Sequence, residues 1–167
     1  MVEFEDMVTS RATVLLRFAL MLCGDPHLAE DLVQTVLAKA YRRWSKISKA
    51  EQPEAYLKTM IVNEHLGWWR RRSSREVPTA EDSGSYDSYD TYDTSTGHAS
   101  RDAAWDLLTR LPKQQRAVLV LRYYEDLSDE QIAVILGCAA STVRSNATRA
   151  LATLRSIVPT LDHEVLP

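Results

Sequence analysis

Between Ser73 and Ser100 the chain carries a stretch that cannot fold by itself. It reads SSREVPTAEDSGSYDSYDTYDTSTGHAS, which is Ser, Thr, Asp and Tyr with almost no aliphatic side chain. Such a composition buries too little apolar surface to offset the entropy of ordering it. The 167-residue chain is therefore divided, and whatever packs must do so from the segments on either side. A flexible coil of these 28 residues would span roughly 30 Å on average, and more where like charges repel.

Both flanking segments read as helical. Only 5 Gly and few alternating β-branched runs argue against sheets, and a hydrophobic share of 45% is enough for real cores. The expected fold class is all-α: two small helical domains joined by an acidic flexible linker. The formal net charge is −3, but it is unevenly spread. Residues 1–72 hold 11 Lys/Arg against 9 Asp/Glu, residues 73–100 hold one Arg against six acids, and residues 101–167 hold eight of each. With so little excess positive charge the chain would grip nucleic acid weakly unaided, because phosphate contacts dominate such binding.

The C-terminal segment nevertheless has the pattern of a DNA-binding helix pair. In SDEQIAVILGCAASTVRSNATRALATLR, residues 128–155, Ser128 is suited to cap a helix, with Gln131 three residues on to complete a capping box. Ile132, Ile135 and Leu136 form an apolar face, and Gly137 sits where the backbone needs positive φ. A second helix begins near Ala140. Val143, Ala147, Ala150, Leu151 and Leu154 recur on one side at helical spacing. Arg144, Ser145, Thr148, Arg149 and Arg155 occupy the other, with no acid among them. Two helices around a Gly-containing turn, the second basic and hydroxyl-rich, is the sequence form of a helix-turn-helix. Before it, helices are expected over Arg101–Leu111 and Lys113–Tyr124, the latter turning Val118, Leu119, Leu121 and Tyr123 inward.

The N-terminal segment predicts three helices. Glu3–Cys23 places Phe4, Val8, Leu15, Ala19 and Leu22 on one side and stops at Gly24. Asp25-Pro26 starts the next helix, as N-cap and first helical residue. That helix runs to about Trp44, with a polar strip that includes Asp31 and Gln34. Lys46–Gln52 reads as a polar loop. Pro53 opens a third helix, which ends in Trp68-Trp69-Arg70-Arg71-Arg72. Adjacent residues on a helix stand about 100° apart, so both tryptophans cannot point inward. Aromatic surface beside guanidinium groups suits unstacked bases and phosphates.

No catalytic constellation stands out: no Ser/His/Asp set, no paired carboxylates, no Gly-rich phosphate loop. Cys23 and Cys138 lack metal-ligand spacing and read as small buried apolar residues in a reducing compartment. The chain is expected to be a non-enzyme without metal or cofactor, cytoplasmic, and not inserted in a membrane.

Read together, the motifs resemble those of the extracytoplasmic-function sigma factors, the small bacterial initiation subunits of RNA polymerase, and within them the actinobacterial SigE-like branch. DPHLAEDLVQTVLAKAYRRW and PEAYLKTMIVNEHLGWWRRR are similar to sigma region 2. LTRLPKQQRAVLVLRYYEDLSDEQIAVILGCAASTVRSNATRALATLR is similar to sigma region 4. The resemblance implies region 2 over residues 1–73, the acidic linker over 74–100, region 4 over 101–158 and a tail over 159–167. It implies a subunit that binds core polymerase, recognises the −35 and −10 promoter elements and helps melt DNA.

Roles are implied residue by residue. Asp31, Gln34, Thr35 and Tyr41 correspond to the surface that docks on the clamp helices of the largest polymerase subunit. Lys46, Ser48 and Lys49 lie in the loop that receives a base flipped from the −10 element, with Asn63 beside it. His65, Trp68, Trp69, Arg70, Arg71 and Arg72 would line the melted strand. Ser141, Thr142, Arg144, Ser145, Thr148 and Arg149 would enter the major groove of the −35 element. The implied partners are core RNA polymerase, including the flap of its second-largest subunit, and promoter DNA, with an anti-sigma factor as a further candidate. Two positions depart from the pattern: Asn146 stands where many relatives are basic, and Ala139 where a capping Ser is common. The rival readings are a stand-alone helix-turn-helix regulator and a helical adaptor that binds no nucleic acid.

Overall fold

Gly24 makes the first corner of the chain. The computed structural model describes residues 2–73 and 105–157, with the side chains of 2–67 and 105–157. In it α1 (Phe4–Cys23) ends where Gly24 adopts φ 72° and returns its N–H to the Leu20 carbonyl. That left-handed turn is available to glycine at little cost. Asp25 then caps α2 (Pro26–Arg42), its carboxylate accepting from the N–H groups of His27 at 2.9 Å and Leu28 at 3.4 Å. Met7, Leu15, Phe18, Ala19 and Leu22 of α1 are buried, as are Ala29, Leu32, Val33, Val36 and Ala40 of α2. Phe4 and Val8, expected in the same stripe of α1, are only half-buried.

α2 stops two residues short of the expected Trp44. Trp44–Ile47 winds a separate turn, α3, so Lys46 lies in a helical turn rather than in the expected loop. Ile47, which is 0% exposed, explains the turn, because winding it brings this side chain under the bundle. The Trp44 indole N–H donates to the Val2 carbonyl at 3.0 Å, and its ring meets Phe4 edge-on at 5.4 Å. α4 (Pro53–Ser73) begins at Pro53 as expected, with Leu57, Ile61, Val62, His65 and Leu66 buried.

In the C-terminal part, helical residues 105–109 (α5) precede α6 (Lys113–Leu119), which runs directly into a π-helical turn, Val120–Tyr124. The wider π turn shifts the phase of the side chains. Val118, Leu119, Val120 and Leu121 are consequently all buried, whereas Tyr123, expected inside, is 63% exposed. α7 (Asp129–Leu136) and α8 (Ala140–Ile157) complete the described residues.

α1, α2 and α4 pack as one bundle, and α6, α7 and α8 as another. α5 lies against the second bundle, where Leu108 and Leu111 meet Leu119, Ala150, Leu151 and Leu154. The two helical domains are packed on each other. One buried cluster runs from Leu15, Phe18 and Leu22 through Leu57 and Ile61 to Val118, Leu121, Ile132 and Leu136. Arg116, 6% exposed, stitches the join. Its guanidinium donates to the carbonyls of Leu108 (2.7 Å), Thr109 (2.8 Å) and Leu111 (3.3 Å), and across the seam to that of Leu22 (3.3 Å). The segment expected as linker, residues 74–100, and the tail, 159–167, lie outside the described residues.

Candidate nucleic-acid and polymerase interface

The helix-turn-helix is fixed by local bonds. The capping box expected at Ser128 is present: the Gln131 N–H donates to Ser128 Oγ at 3.2 Å, and the Ser128 N–H donates to Gln131 Oε1 at 2.9 Å. Gly137 takes φ 66° at the other end of α7. Buried Val143, Ala147 and Ala150 then seat α8. Ser141, Thr142, Arg144, Ser145, Thr148 and Arg149 are all exposed, as expected for the side of α8 away from that stripe. Ser141, Thr142, Ser145 and Arg149 line a concavity of about 390 Å³ together with Asn146, a residue that sequence reasoning left out of the set. The Thr148 hydroxyl donates to the Arg144 carbonyl at 3.0 Å. It therefore offers an incoming base an acceptor lone pair and a methyl group. Arg144 Nη1 lies 4.0 Å from Asp129 Oδ2, a loose surface pair that costs little to exchange for a phosphate or a base edge.

Around α3 and along α4 the groups expected for the −10 element divide. Lys46, Lys49 and Asn63 are exposed. Ser48 is half-buried, and its hydroxyl oxygen is buried without a protein partner. Beside Asn63, Glu64 pairs with Lys39 and ties α4 to α2. Trp68, Trp69, Arg70, Arg71 and Arg72 belong to the last turns of α4, but their side chains lie outside those described.

His65 requires a correction. Expected along the melted strand, it is 1% exposed. The reason is helical phase: it stands four residues after Ile61 and three after Val62, both buried, so it shares their face. Neither ring nitrogen finds a protein partner. Burial, with the nearby charges of Lys113 and Arg116, pushes its pKa down from 6.5 to about 4. The fold thus favours neutral imidazole. Its contribution to stability is whole above pH 6.5 and is lost as pH falls from there towards 4, at about 1.4 kcal/mol per pH unit. Urea denaturation across this window should show that loss, and His65→Leu should remove the part of it due to this ring.

On α2, Asp31, Gln34, Thr35 and Tyr41 are exposed. The first three lie within a turn of one another. Tyr41 is further along, 67% exposed, its ring edge-on to Phe4 at 5.2 Å. Asp31 and Thr35 also line a cavity of about 190 Å³ with Leu28, Leu32, Glu64 and His65. Among the described residues no cluster of His, Cys, Asp and Glu could hold a metal ion, and no helix is long and apolar enough to cross a membrane. Cys23 and Cys138 are free and half-buried, and burial raises the Cys23 thiol pKa.

Comparison with known proteins accounts for both domains. The Sigma-70 region 2 family matches residues 7–75, and the Sigma-70, region 4 family matches residues 101–154. The RNA polymerase sigma-E factor of Streptomyces coelicolor is 42% identical over 92% of this chain and 84% of its own length. The ECF RNA polymerase sigma factor SigL of Mycobacterium tuberculosis is 34% identical over 86% of this chain and 82% of its own. The chain belongs to the extracytoplasmic-function sigma factors. This sigma factor binds core RNA polymerase, recognises promoter DNA and helps open it for initiation. Among solved structures, the sigma factor RpoE of Bartonella quintana, in complex with the anti-sigma factor NepR, matches with a TM-score of 0.71. That match is 26% identical and covers 94% of this chain and 97% of that one.

Proposed function

We propose a division of labour among three faces of this sigma factor. The exposed strip of α2, with Asp31, Gln34, Thr35 and Tyr41, docks on the clamp helices of the largest polymerase subunit, while region 4 meets the flap of the second-largest. The loop beginning at α3 (Lys46, Ser48, Lys49), with Asn63, receives a base flipped from the −10 element. Trp68, Trp69 and Arg70–Arg72 follow the melted strand. Ser141, Thr142, Arg144, Ser145, Thr148 and Arg149 read the −35 element. The observation that carries this reading is the common exposure of those six residues on α8, seated by a capped and glycine-terminated α7.

The proposed mechanism has no covalent step. Flipping a base costs a few kcal/mol, and stacking on an aromatic returns roughly 1–3 kcal/mol per base. Holding both DNA-reading faces on polymerase raises their effective concentration at the promoter, which fits a chain of net charge −3. The site of action is the cytoplasm, and the complex of RpoE with NepR supports an anti-sigma partner here. The test is transcription in vitro with purified core polymerase, where promoter-specific transcripts are expected. Arg144→Ala should weaken −35 recognition by about 1–3 kcal/mol if its guanidinium reads a base edge. An unchanged promoter profile would remove Arg144 from the set.

A further inference from the structure

The concavity on α8 has a wall that the proposed −35 contacts leave out. Ser141, Thr142, Ser145 and Arg149 line it together with Asn146. Thr142, Asn146 and Arg149 follow one another at spacings of four and three residues, so they share one stripe of the helix. Asn146 is half-buried, at the border between that stripe and the buried side of Val143, Ala147 and Ala150. Being short and rooted at that border, its side chain loses less rotamer freedom on meeting a ligand than the long Arg149 does.

What this group can recognise follows from its chemistry. Asn146 carries no charge, so it has no long-range pull on a phosphate. A carboxamide presents an acceptor, Oδ1, beside an amine donor, Nδ2. In the major groove only adenine shows the matching pair, an N7 acceptor beside an N6 amine. Guanine shows two acceptors there, which would leave Oδ1 facing O6 with no proton between them. Cytosine and thymine each offer one of the two partners. The other walls do not supply this discrimination. The hydroxyls of Ser141, Thr142 and Ser145 donate and accept alike, so they tolerate most base edges.

We propose that Asn146 is a specificity-determining residue of this sigma factor: its Nδ2–H donates to N7 of one adenine in the −35 element, and its Oδ1 accepts from N6 of the same base. This rests on the assignment of α8 to that element. The helix rise sets the place. Asn146 and Arg149 stand about 4.5 Å apart along the axis, at 1.5 Å per residue, which is little more than one base step of about 3.4 Å. The adenine therefore lies within about two base pairs of the position that Arg149 contacts.

The test uses holoenzyme assembled from core polymerase and the full chain, on promoters whose −35 element is randomised. Wild type should select adenine at one position by a factor of between about five and a hundred. Asn146→Ala should lose that preference and keep the selection at every other position. A second measurement needs no variant to fold: the same adenine is replaced by 7-deazaadenine, which pairs normally but lacks N7. Wild-type binding should then fall about fivefold or more, while Asn146→Ala should bind both promoters alike. A uniform loss across all sequences in Asn146→Ala would make the residue a phosphate contact and overturn the proposal. So would an unchanged adenine preference, or a 7-deazaadenine effect of equal size in the two proteins. Arg149→Ala separates this outcome from the reading beneath it. If Arg149→Ala selects the same −35 sequences as wild type, the assignment of α8 to that element falls. If it alters the selection while Asn146→Ala does not, only the role given to Asn146 falls.

Discussion

Phe18→Ala should destabilise the protein by about 3–5 kcal/mol, the range for emptying a fully buried aromatic site. Phe18 is 0% exposed and ranks first by volume among the fully buried side chains. It lies in the cluster that both domains share, below the Lys58 ammonium. Deleting its ring removes transfer free energy and leaves a void that the helices cannot close without moving, since α1 contacts α2, α4 and α6. The loss should therefore reach beyond α1. In hydrogen exchange, amides of α7 around Ile132, far away in sequence, should lose protection together with those of α4 around Leu57. Urea denaturation gives the size of the effect. A fall confined to residues 2–73, with α7 protected as before, would mean that the seam carries no stability.

Much of the fold is legible in the sequence where its cause is local. The Gly24–Asp25–Pro26 corner, the Ser128–Gln131 capping box and the Gly137 turn each depend on residues within about four positions of one another, and all three stand where expected. The exposed face of α8 follows from them, because a correct start and a buried Val143–Ala147–Ala150 stripe leave its polar residues one side to occupy. Two misses have different causes. His65 carried a legible signal, its position four residues after Ile61, but its polar character and the neighbouring basic run suggested the surface. Tyr123 carried none, since a π turn inserts an extra residue per turn that helical periodicity does not anticipate. The seam was beyond any local pattern. Lys58 meets Glu125 across 67 residues and Arg116 meets Leu22 across 94, and neither pairing leaves a periodic trace.

Arg116→Met should cost about 2–4 kcal/mol, less than a simple count of its bonds suggests. Arg116 is 6% exposed and its guanidinium serves four backbone carbonyls, two of them at 2.7 and 2.8 Å. Hydrogen bonds from a charged donor contribute about 1.5–3 kcal/mol each, which would give a far larger loss. Against this stands the burial of a cation whose charge meets neutral carbonyls in all four of these bonds. That burial carries a desolvation penalty of several kcal/mol, which Met would not incur. What decides the sign is the carbonyls left behind. Those of Leu108 and Thr109 end α5, that of Leu111 follows it and that of Leu22 ends α1; Leu108 also accepts from the Leu111 N–H at 3.2 Å, so the loss falls on the other three. Arg116→Lys should recover only part of the loss, because a single ammonium cannot spread its donors across two helix ends as the planar fork does. Urea midpoints for the three proteins test the order, with wild type most stable, Lys next and Met least. If the Met variant matched wild type, those three carbonyls would have to be reaching water, and the join between α1 and α5 would owe its stability to apolar contact alone.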